Sequence, residues 1–378
     1  MPLLLTNEQV MLRDTARDFI ADNAPLQHLR KLRDSRDPTG LSRDLWKQFS
    51  DIGFTGILIP EDEGGLGLGA VEAGIVLEAI GYNLVPSPFL ATAVGAVEAL
   101  KAGSPDQRSQ WFPAILAGAA IVALAIDEGT KHRPARITLK SERVGNGFRL
   151  NGVKHFVAHG HIADLLIVAA RTSGDPGEER GITMFAIKPD MAGLTISVEQ
   201  LVDASLASRI SFDSVEVGED TVIGEIDGGW EQLSQLLIKL RTAAAAELIG
   251  VGAGAADMTV SYLKERSQFG ALIGSFQALQ HRASHLYAEI DVARAAVVKA
   301  QQLIDEKHSS AERASMIAKA VVGPVATLAV QEGVQMHGGI GMTDEHNIGL
   351  YMKRARVLSE TFGDSDFLVD TLAHASGY

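Results

Sequence analysis

The sequence predicts an α+β fold of three segments: a helical part over residues 1–120, a small antiparallel β-sandwich or barrel-like part over 121–225, and a helical bundle over 226–378. Three observations predict it. Helix-period apolar patterning fills the first third, short β-prone runs broken by turn residues fill the middle, and long helical stripes return after Gly228-Gly229. With 378 residues, 46% of them apolar, the chain has material for a sizeable core.

Thr6 and Gln9 form a capping box that opens a helix running through Phe19 and Ile20. Further helical segments pass through Leu45, Trp46 and Phe49, then Val71 to Ile80, then Phe89 to Leu100. The run Ile59-Pro-Glu-Asp-Glu-Gly-Gly-Leu-Gly-Leu-Gly69 lacks the Gly-Lys-Ser/Thr ending of a phosphate loop and reads as a flexible turn between helices. From about Ile121, strands are expected at Phe148–Leu150, Lys154–Val157, Leu165–Ala170, Ile182–Ile187 and Ile210–Val217. Tight turns are expected at Asn146-Gly147, Asn151-Gly152 and Ser173-Gly174. Leu233, Leu236, Leu237, Leu240, Ala244, Leu248 and Val251 then share one stripe of a long helix. Helices through Tyr287–Ile304 and Met316–Val334 follow, with Gly338-Gly339 as a break, and four long helices suggest a bundle.

Composition excludes several function classes. A formal charge of −13 without a basic run argues against nucleic-acid binding. The absence of cysteine removes disulfides, thiolate metal sites and a catalytic thiol. The N-terminus has no basic n-region or cleavage site and no stretch approaches a membrane span without polar interruption, so a cytoplasmic protein without membrane attachment is expected. His155, His159 and His161 lack a matching cluster at ligand spacing, so no metal site is expected. No Gly-x-Ser-x-Gly elbow supports a serine hydrolase. Gly250-Val-Gly-Ala-Gly254 mimics a dinucleotide fingerprint but lies in a helix, where close helix packing explains it better.

Two motifs remain: Arg266-Ser-Gln-Phe-Gly-Ala-Leu-Ile-Gly-Ser-Phe-Gln277 and Gln335-Met-His-Gly-Gly339, the latter followed by Gly341-Met-Thr-Asp-Glu345. Taken singly, Arg266 reads as a solvated helix-end charge and the glycine pair as a helix break. Together and in order they resemble the acyl-CoA dehydrogenase family, over a stretch from Thr6 to Leu372. The Ile59–Gly69 run is also similar to that family's Pro-Glu-x-x-Gly-Gly-x-Gly segment near the acyl end of the substrate. The resemblance implies an FAD lying across a subunit boundary, its diphosphate and adenosine held by the neighbouring chain through Arg266, Gln268, Phe269, Gln277, Gln335, Gly338 and Gly339. The chemistry agrees: a guanidinium pairs with pyrophosphate oxygens, amides read polar edges, and glycine admits close backbone approach.

The family's general base, a glutamate taking the α-proton of an acyl-CoA thioester, falls on one of two positions, here Leu240 and Phe362. Neither accepts a proton, and such a base contributes roughly 10²–10⁴-fold in rate. Glu360 and Asp364 are the nearest substitutes, with ion pairing near Arg354 and Arg356 as their more ordinary role. The family's own-chain flavin contacts, a Thr-Glu-Pro-x-x-Gly-Ser loop and a Trp-Ile-Thr segment, correspond to Ile126–His132 and to Phe156-Val157-Ala158; the expected hydroxyl near flavin N5 becomes a methyl at Ala158. This asymmetry resembles the base-lacking small subunit of bacterial heterotetrameric acyl-CoA dehydrogenases, and Leu350-Tyr-Met-Lys-Arg354 with Phe362-Gly-Asp364 resembles the pimeloyl-CoA dehydrogenase small subunit. The implied partners are an acyl-CoA substrate, a related subunit carrying the glutamate, and electron-transfer flavoprotein, in a tetramer. A self-sufficient homotetramer using Glu360 and a flavin-free scaffold stay open as alternatives, with a related monooxygenase more remote.

Overall fold

The computed structural model describes residues 3–378. It divides into two compact units: one holds the chain up to Lys31, Ala70–Val85 and Arg241–Tyr378, the other Leu32–Gly69 and Pro86–Leu240.

In the second unit, α3 (Arg43–Asp51) starts at the N-cap Ser42 and buries Leu45, Trp46 and Phe49. The helix expected over Phe89–Leu100 is present, but Leu90–Ala96 is π-helical before α5 (Val97–Leu100). A wider i→i+5 turn fits an approach so close that a Cβ on Gly95 would stand 2.5 Å from Leu124 Cδ1. Next, α6 (Pro105–Leu116) opens on a second capping box, Ser104 with Gln107.

The β elements are β1 (Val122–Ala125), β2 (Lys140–Val144), β3 (Gly147–Ala158), β4 (Leu165–Arg171), β5 (Ile182–Ile187), β6 (Leu194–Gln200), β7 (Leu206–Gly218) and β8 (Val222–Ile223). They form one sheet in the order β6-β7-β3-β2-β4-β5-β8, with β1 beside β4. Most pairs are antiparallel as expected, but β1 and β2 each run parallel to β4. The two strands expected at Phe148–Leu150 and Lys154–Val157 are one, because Asn151-Gly152 is a bulge rather than a turn. The register against β7 shifts between Leu150 and Gly152, and Gly152 has φ 146° with Leu139 Cα 2.9 Å from where its Cβ would lie. The core of this sheet gathers Leu139, Phe148, Leu150, Phe185, Ile210 and Val215, with Phe148 and Phe185 edge to face at 5.4 Å.

In the first unit, α1 (Asn7–Asn23) begins at the expected capping box, with Thr6 Oγ1 accepting from Gln9 N at 3.2 Å and Gln9 Oε1 from Thr6 N at 2.9 Å. It packs on α4 (Ala70–Tyr82). The long helices are α7 (Gly229–Glu265), whose part from Arg241 belongs here, α8 (Gln277–Asp305) and α9 (Ala311–His337), followed by α10 (Ile348–Glu360) and α11 (Ser365–Ala375). A short helix α2 (Leu26–Ser35) between α1 and α3 has no buried residue. By length and composition Ala311–Met342 could cross a bilayer, contrary to the sequence expectation, but 61% of its most apolar window is buried. It packs against α8, α10 and α11, which makes it a core helix.

Gly250 and Gly254 lie inside α7 as packing residues. A Cβ on Gly250 would sit 2.0 Å from Glu78 O of α4, and one on Gly254 2.6 Å from Tyr82 O. One turn away, Glu247 is 2% exposed and takes Arg354 Nε at 3.1 Å. Replacing Gly250 by Ala forces α4 and α7 apart; the urea midpoint should fall by the equivalent of about 2 kcal/mol with an unchanged m value.

Candidate functional site

Arg266 follows the last turn of α7 and opens a two-strand hairpin, β9 (Ser267–Gln268) with β10 (Ala271–Leu272). The turn is Phe269-Gly270, with φ of 55° and 77°, the pair of left-handed residues that a two-residue hairpin requires. Glycine does this without strain. A bulky aromatic does not, and Phe269 is also 93% exposed, its ring edge to face with Phe276 at 6.5 Å. The hairpin thus holds an aromatic ring outward at a cost in backbone energy.

Behind the hairpin is a cavity of about 310 Å³ lined by Tyr262, Arg266, Gln268, Arg282, Gln335 and His337, among others. Arg282 is neutralised by a bidentate pair with Glu332 at 2.5 and 2.9 Å. The Arg266 guanidinium has no partner among the described residues, nor do the side-chain amides of Gln268, Gln277 and Gln335. Gly338 ends α9 with φ 66°, and a Cβ on Gly338 or Gly339 would meet nothing within 4 Å. One unpaired cation, several free amides and an open glycine backbone form a donor set that suits a pyrophosphate and a nucleoside. The site residues expected from sequence therefore fall on the hairpin, the start of α8 and the end of α9 of one unit.

The base positions are different. Leu240 is fully buried, its Cδ2 3.0 Å from where a Cβ on Gly95 would lie. Phe362 is half-buried in the left-handed region, φ 59°, and its carbonyl accepts from Arg241 Nε at 3.1 Å. Lys319 Nζ donates to the carbonyls of Ser359 at 2.9 Å and Gly363 at 3.3 Å. The two substitutes have other roles. Asp364 caps α11, its Oδ1 accepting from Phe367 N at 2.8 Å, and Glu360 pairs with Arg356 at 2.8 Å. Of the two nearby arginines, Arg354 serves Glu247 instead.

In the β unit, the loop after β1 is tied to its own chain. Asp127 Oδ1 meets His132 Nδ1 at 2.7 Å. Glu128 accepts from Thr138 N at 2.6 Å, Leu139 N at 3.0 Å and the fully buried Lys154 Nζ at 2.7 Å. Burial opposes the charge on Glu128, but Lys154, Thr138 and the Leu139 amide hold its carboxyl below the usual range. Phe156 is 47% exposed with φ 55°, and Ala158 pairs with Ala207 on β7. This loop presents carboxylates already engaged by their own chain, and position 158 at the end of β3 presents a methyl.

Three family models cover the chain: "Acyl-CoA dehydrogenase, N-terminal domain" over residues 6–119, "middle domain" over 127–215 and "C-terminal domain" over 227–377. The chain belongs to the acyl-CoA dehydrogenase family. This family comprises FAD-dependent oxidoreductases acting on the CH–CH bond of acyl-CoA thioesters. The chain is 32% identical to the acyl-CoA dehydrogenase IpdE2 of Mycobacterium tuberculosis, covering 92% of this chain and 91% of that one. It is 28% identical to the probable acyl-CoA dehydrogenase YngJ of Bacillus subtilis, covering 96% of each. Among solved structures, a Tcur3481–Tcur3483 steroid ACAD variant superposes with a TM-score of 0.88 at 28% identity, covering 98% of each chain.

Sequence reasoning missed Arg241, Lys319 and His337. Arg241 directly follows Leu240, and His337 sits inside the quoted glycine motif; Lys319 is a lone cation in an apolar helical run. Burial, then the nearby Arg241 charge, push the Lys319 amine down to about 7, against the pull of Glu360 and Asp364. In the unfolded chain this amine stays protonated to about 10.4. Between these values the unfolded state binds more protons, so Lys319 makes stability rise as pH goes from about 7 to about 10. Denaturation at pH 7 and pH 9.5 should show this rise in the natural protein and a flatter profile in Lys319→Met.

Proposed function

We propose that the chain is the base-lacking subunit of a heterotetrameric acyl-CoA dehydrogenase. Arg266, Gln268, Phe269, Gln277, Gln335 and the Gly338-Gly339 pair would hold the diphosphate and adenosine of an FAD whose other contacts belong to a related chain. That chain would supply the glutamate that takes the α-proton. When bound, FAD supplies the acceptor for the β-hydrogen and its electron pair. The residues of this chain bind and orient the cofactor's nucleotide end.

The observation that carries this reading is an asymmetry. An unpartnered guanidinium stands beside a strained, exposed Phe269, whereas both base positions hold apolar side chains, Leu240 sealed and Phe362 clamped through its carbonyl. A ring held outward at 93% exposure needs a cover, and a neighbouring subunit with its flavin provides one. The sequence around Phe362 is similar to that of the pimeloyl-CoA dehydrogenase small subunit. The likeness to the Tcur3481–Tcur3483 steroid ACAD favours a steroid-derived acyl thioester over a straight chain. Electron-transfer flavoprotein is the proposed acceptor and the cytoplasm the proposed location.

A homotetramer using Glu360 is the second reading, and the Glu360–Arg356 pair weighs against it. Native mass spectrometry of the complex from its own host, with flavin absorbance, separates the two. Two copies of this chain with two of a relative, and half as many FAD as chains, is the expected result; four copies of this chain with four FAD reverses the assignment.

Two substitutions follow from the same reading. Arg266→Ala removes a charge-assisted contact of about 1.5–3 kcal/mol, so FAD affinity of the assembled complex should drop by roughly 10- to 150-fold. Unchanged flavin content rules out the contact. Glu360→Gln should leave turnover of the complex within about twofold, since its carboxylate lies in a surface ion pair with Arg356; a loss on the general-base scale of roughly 10²–10⁴ establishes Glu360 as the base.

A further inference from the structure

The segment that joins α9 to α10 is fastened at its far end by an uncharged histidine. His346 directly precedes Asn347, the N-cap of α10, and its Nδ1 lies 3.2 Å from the amide nitrogen of Ile348, the first residue of that helix. An amide N–H only donates, so Nδ1 is the bare nitrogen and the neutral ring carries its hydrogen on Nε2. Asn347 itself makes no side-chain cap bond, so the imidazole takes one of the orphan donors of the helix in its place. Arg30 of α2 holds the same residues by their oxygens. Its Nη2 donates to the carbonyls of Asp344 at 2.7 Å and Glu345 at 3.2 Å, and its Nε to Asn347 Oδ1 at 2.7 Å.

This arrangement works only while His346 is uncharged. A second ring hydrogen would sit on Nδ1, facing the Ile348 N–H, and its charge would stand at the positive end of the α10 dipole. Around the ring are the His337 imidazole at the end of α9, 4.2 Å away between centroids, the Tyr262 ring of α7 at 6.4 Å, and the Arg30 guanidinium. Its own segment adds the carboxylates of Asp344, 3.8 Å from Arg30 Nη1, and Glu345. Burial, then His337 and then Arg30, hold His346 below the usual histidine range. His337 is 3% exposed, whereas His346 is half-buried, so His346 is the ring open to solvent protons.

We infer that His346 is a pH-sensitive catch. Neutral, it caps α10 and keeps the segment 343–347 on Arg30; protonated, it gives up the cap, repels Arg30 and frees the segment together with the Gly338-Gly339 backbone before it. The closed state takes up this proton less readily than the open one, so closure is fully favoured above about pH 6.5, the ordinary histidine value, and weakens as pH falls below it. The consequence for a cofactor, a looser hold at low pH, rests on the FAD reading above.

The test is amide hydrogen exchange on the complex purified from its own host, at pH 7.5 and pH 5.5, read as protection factors so that the intrinsic pH dependence of exchange cancels. Peptides covering 343–349 should lose protection by about three- to tenfold on acidification, roughly tenfold being the limit for one proton one unit below the ordinary value. Peptides of β4 should keep theirs. His346→Asn, which offers an uncharged acceptor at the same branch of the side chain, should stay protected at both pH values, and His346→Ala should be open at both. His337→Phe, which keeps a stacked ring, should leave the fall in place. Protection that ignores pH in the natural protein, or a fall that persists in His346→Asn or vanishes in His337→Phe, overturns the inference. Flavin content after buffer exchange tests the consequence: loss at pH 5.5 from the natural complex and not from His346→Asn supports it, and equal retention at both pH values removes it. Arg266→Ala separates the two levels. If it strips flavin while the 343–349 peptides ignore pH, the FAD reading stands and the catch fails; if the peptides respond while flavin is indifferent to Arg266→Ala, the catch stands and the FAD reading fails.

Discussion

Two buried cations in the helical unit need oxygen partners, and the segment between α10 and α11 takes its shape from meeting that need. Lys319 is 1% exposed and Arg241 6%, and a buried ammonium or guanidinium without acceptors costs several kcal/mol. Lys319 reaches the carbonyls of Ser359 and Gly363, and Arg241 reaches that of Phe362. Three carbonyls in five residues can turn toward two cations only if the chain leaves the helix. Phe362 accordingly adopts a left-handed conformation, Gly363 has φ 111°, and Asp364 restarts a helix as an N-cap. The position of the family's base is thus shaped by backbone chemistry that is independent of its side chain.

That independence means the turn at 362 keeps its shape whichever side chain stands there. The clamp acts on carbonyls, so phenylalanine at 362 is held as a glutamate would be. At Leu240, in the other unit, an apolar residue closes against the π-helical turn at Gly95. A carboxylate at either place would have to be desolvated, a cost justified only where a substrate proton and an electron acceptor face it. In this chain the loop after β1 is tied to His132 and Lys154, and position 158 carries a methyl.

Much of this was legible in the sequence, for reasons particular to each element. The capping box at Thr6 and the stripe from Leu233 to Val251 carry a cap and a period, and the runs at Leu165 and Ile182 are continuous apolar stretches of strand length. The bulge at Asn151-Gly152 was read as a turn because the dipeptide favours both, and only the neighbouring Leu139 backbone decides between them. β1 and α2 were not foreseen. β1 is only four residues long, and α2 carries a short stripe of Leu26, Leu29 and Leu32, none of it fully buried. The parallel pairing of β1 and β2 with β4 is a long-range choice with no local signature. At the site, motif residues were readable because they are consecutive, whereas Lys319 and Arg241 act through distant carbonyls.

Stability separates the two halves of the pattern. Arg241 and Glu247 are buried and bonded within the chain, so their contacts belong to the fold itself. The hairpin at Phe269 is the opposite case. Its left-handed phenylalanine costs about 1–2 kcal/mol and its exposed ring returns no burial within the chain. Asparagine or glycine at that turn would be more stable, and the unpaired Arg266 beside it contributes no ion pair to the fold. A feature that the isolated chain would fold better without fits the proposed role of a contact made outside the chain. An aromatic face, a guanidinium and free amides presented together suit the nucleotide end of a cofactor.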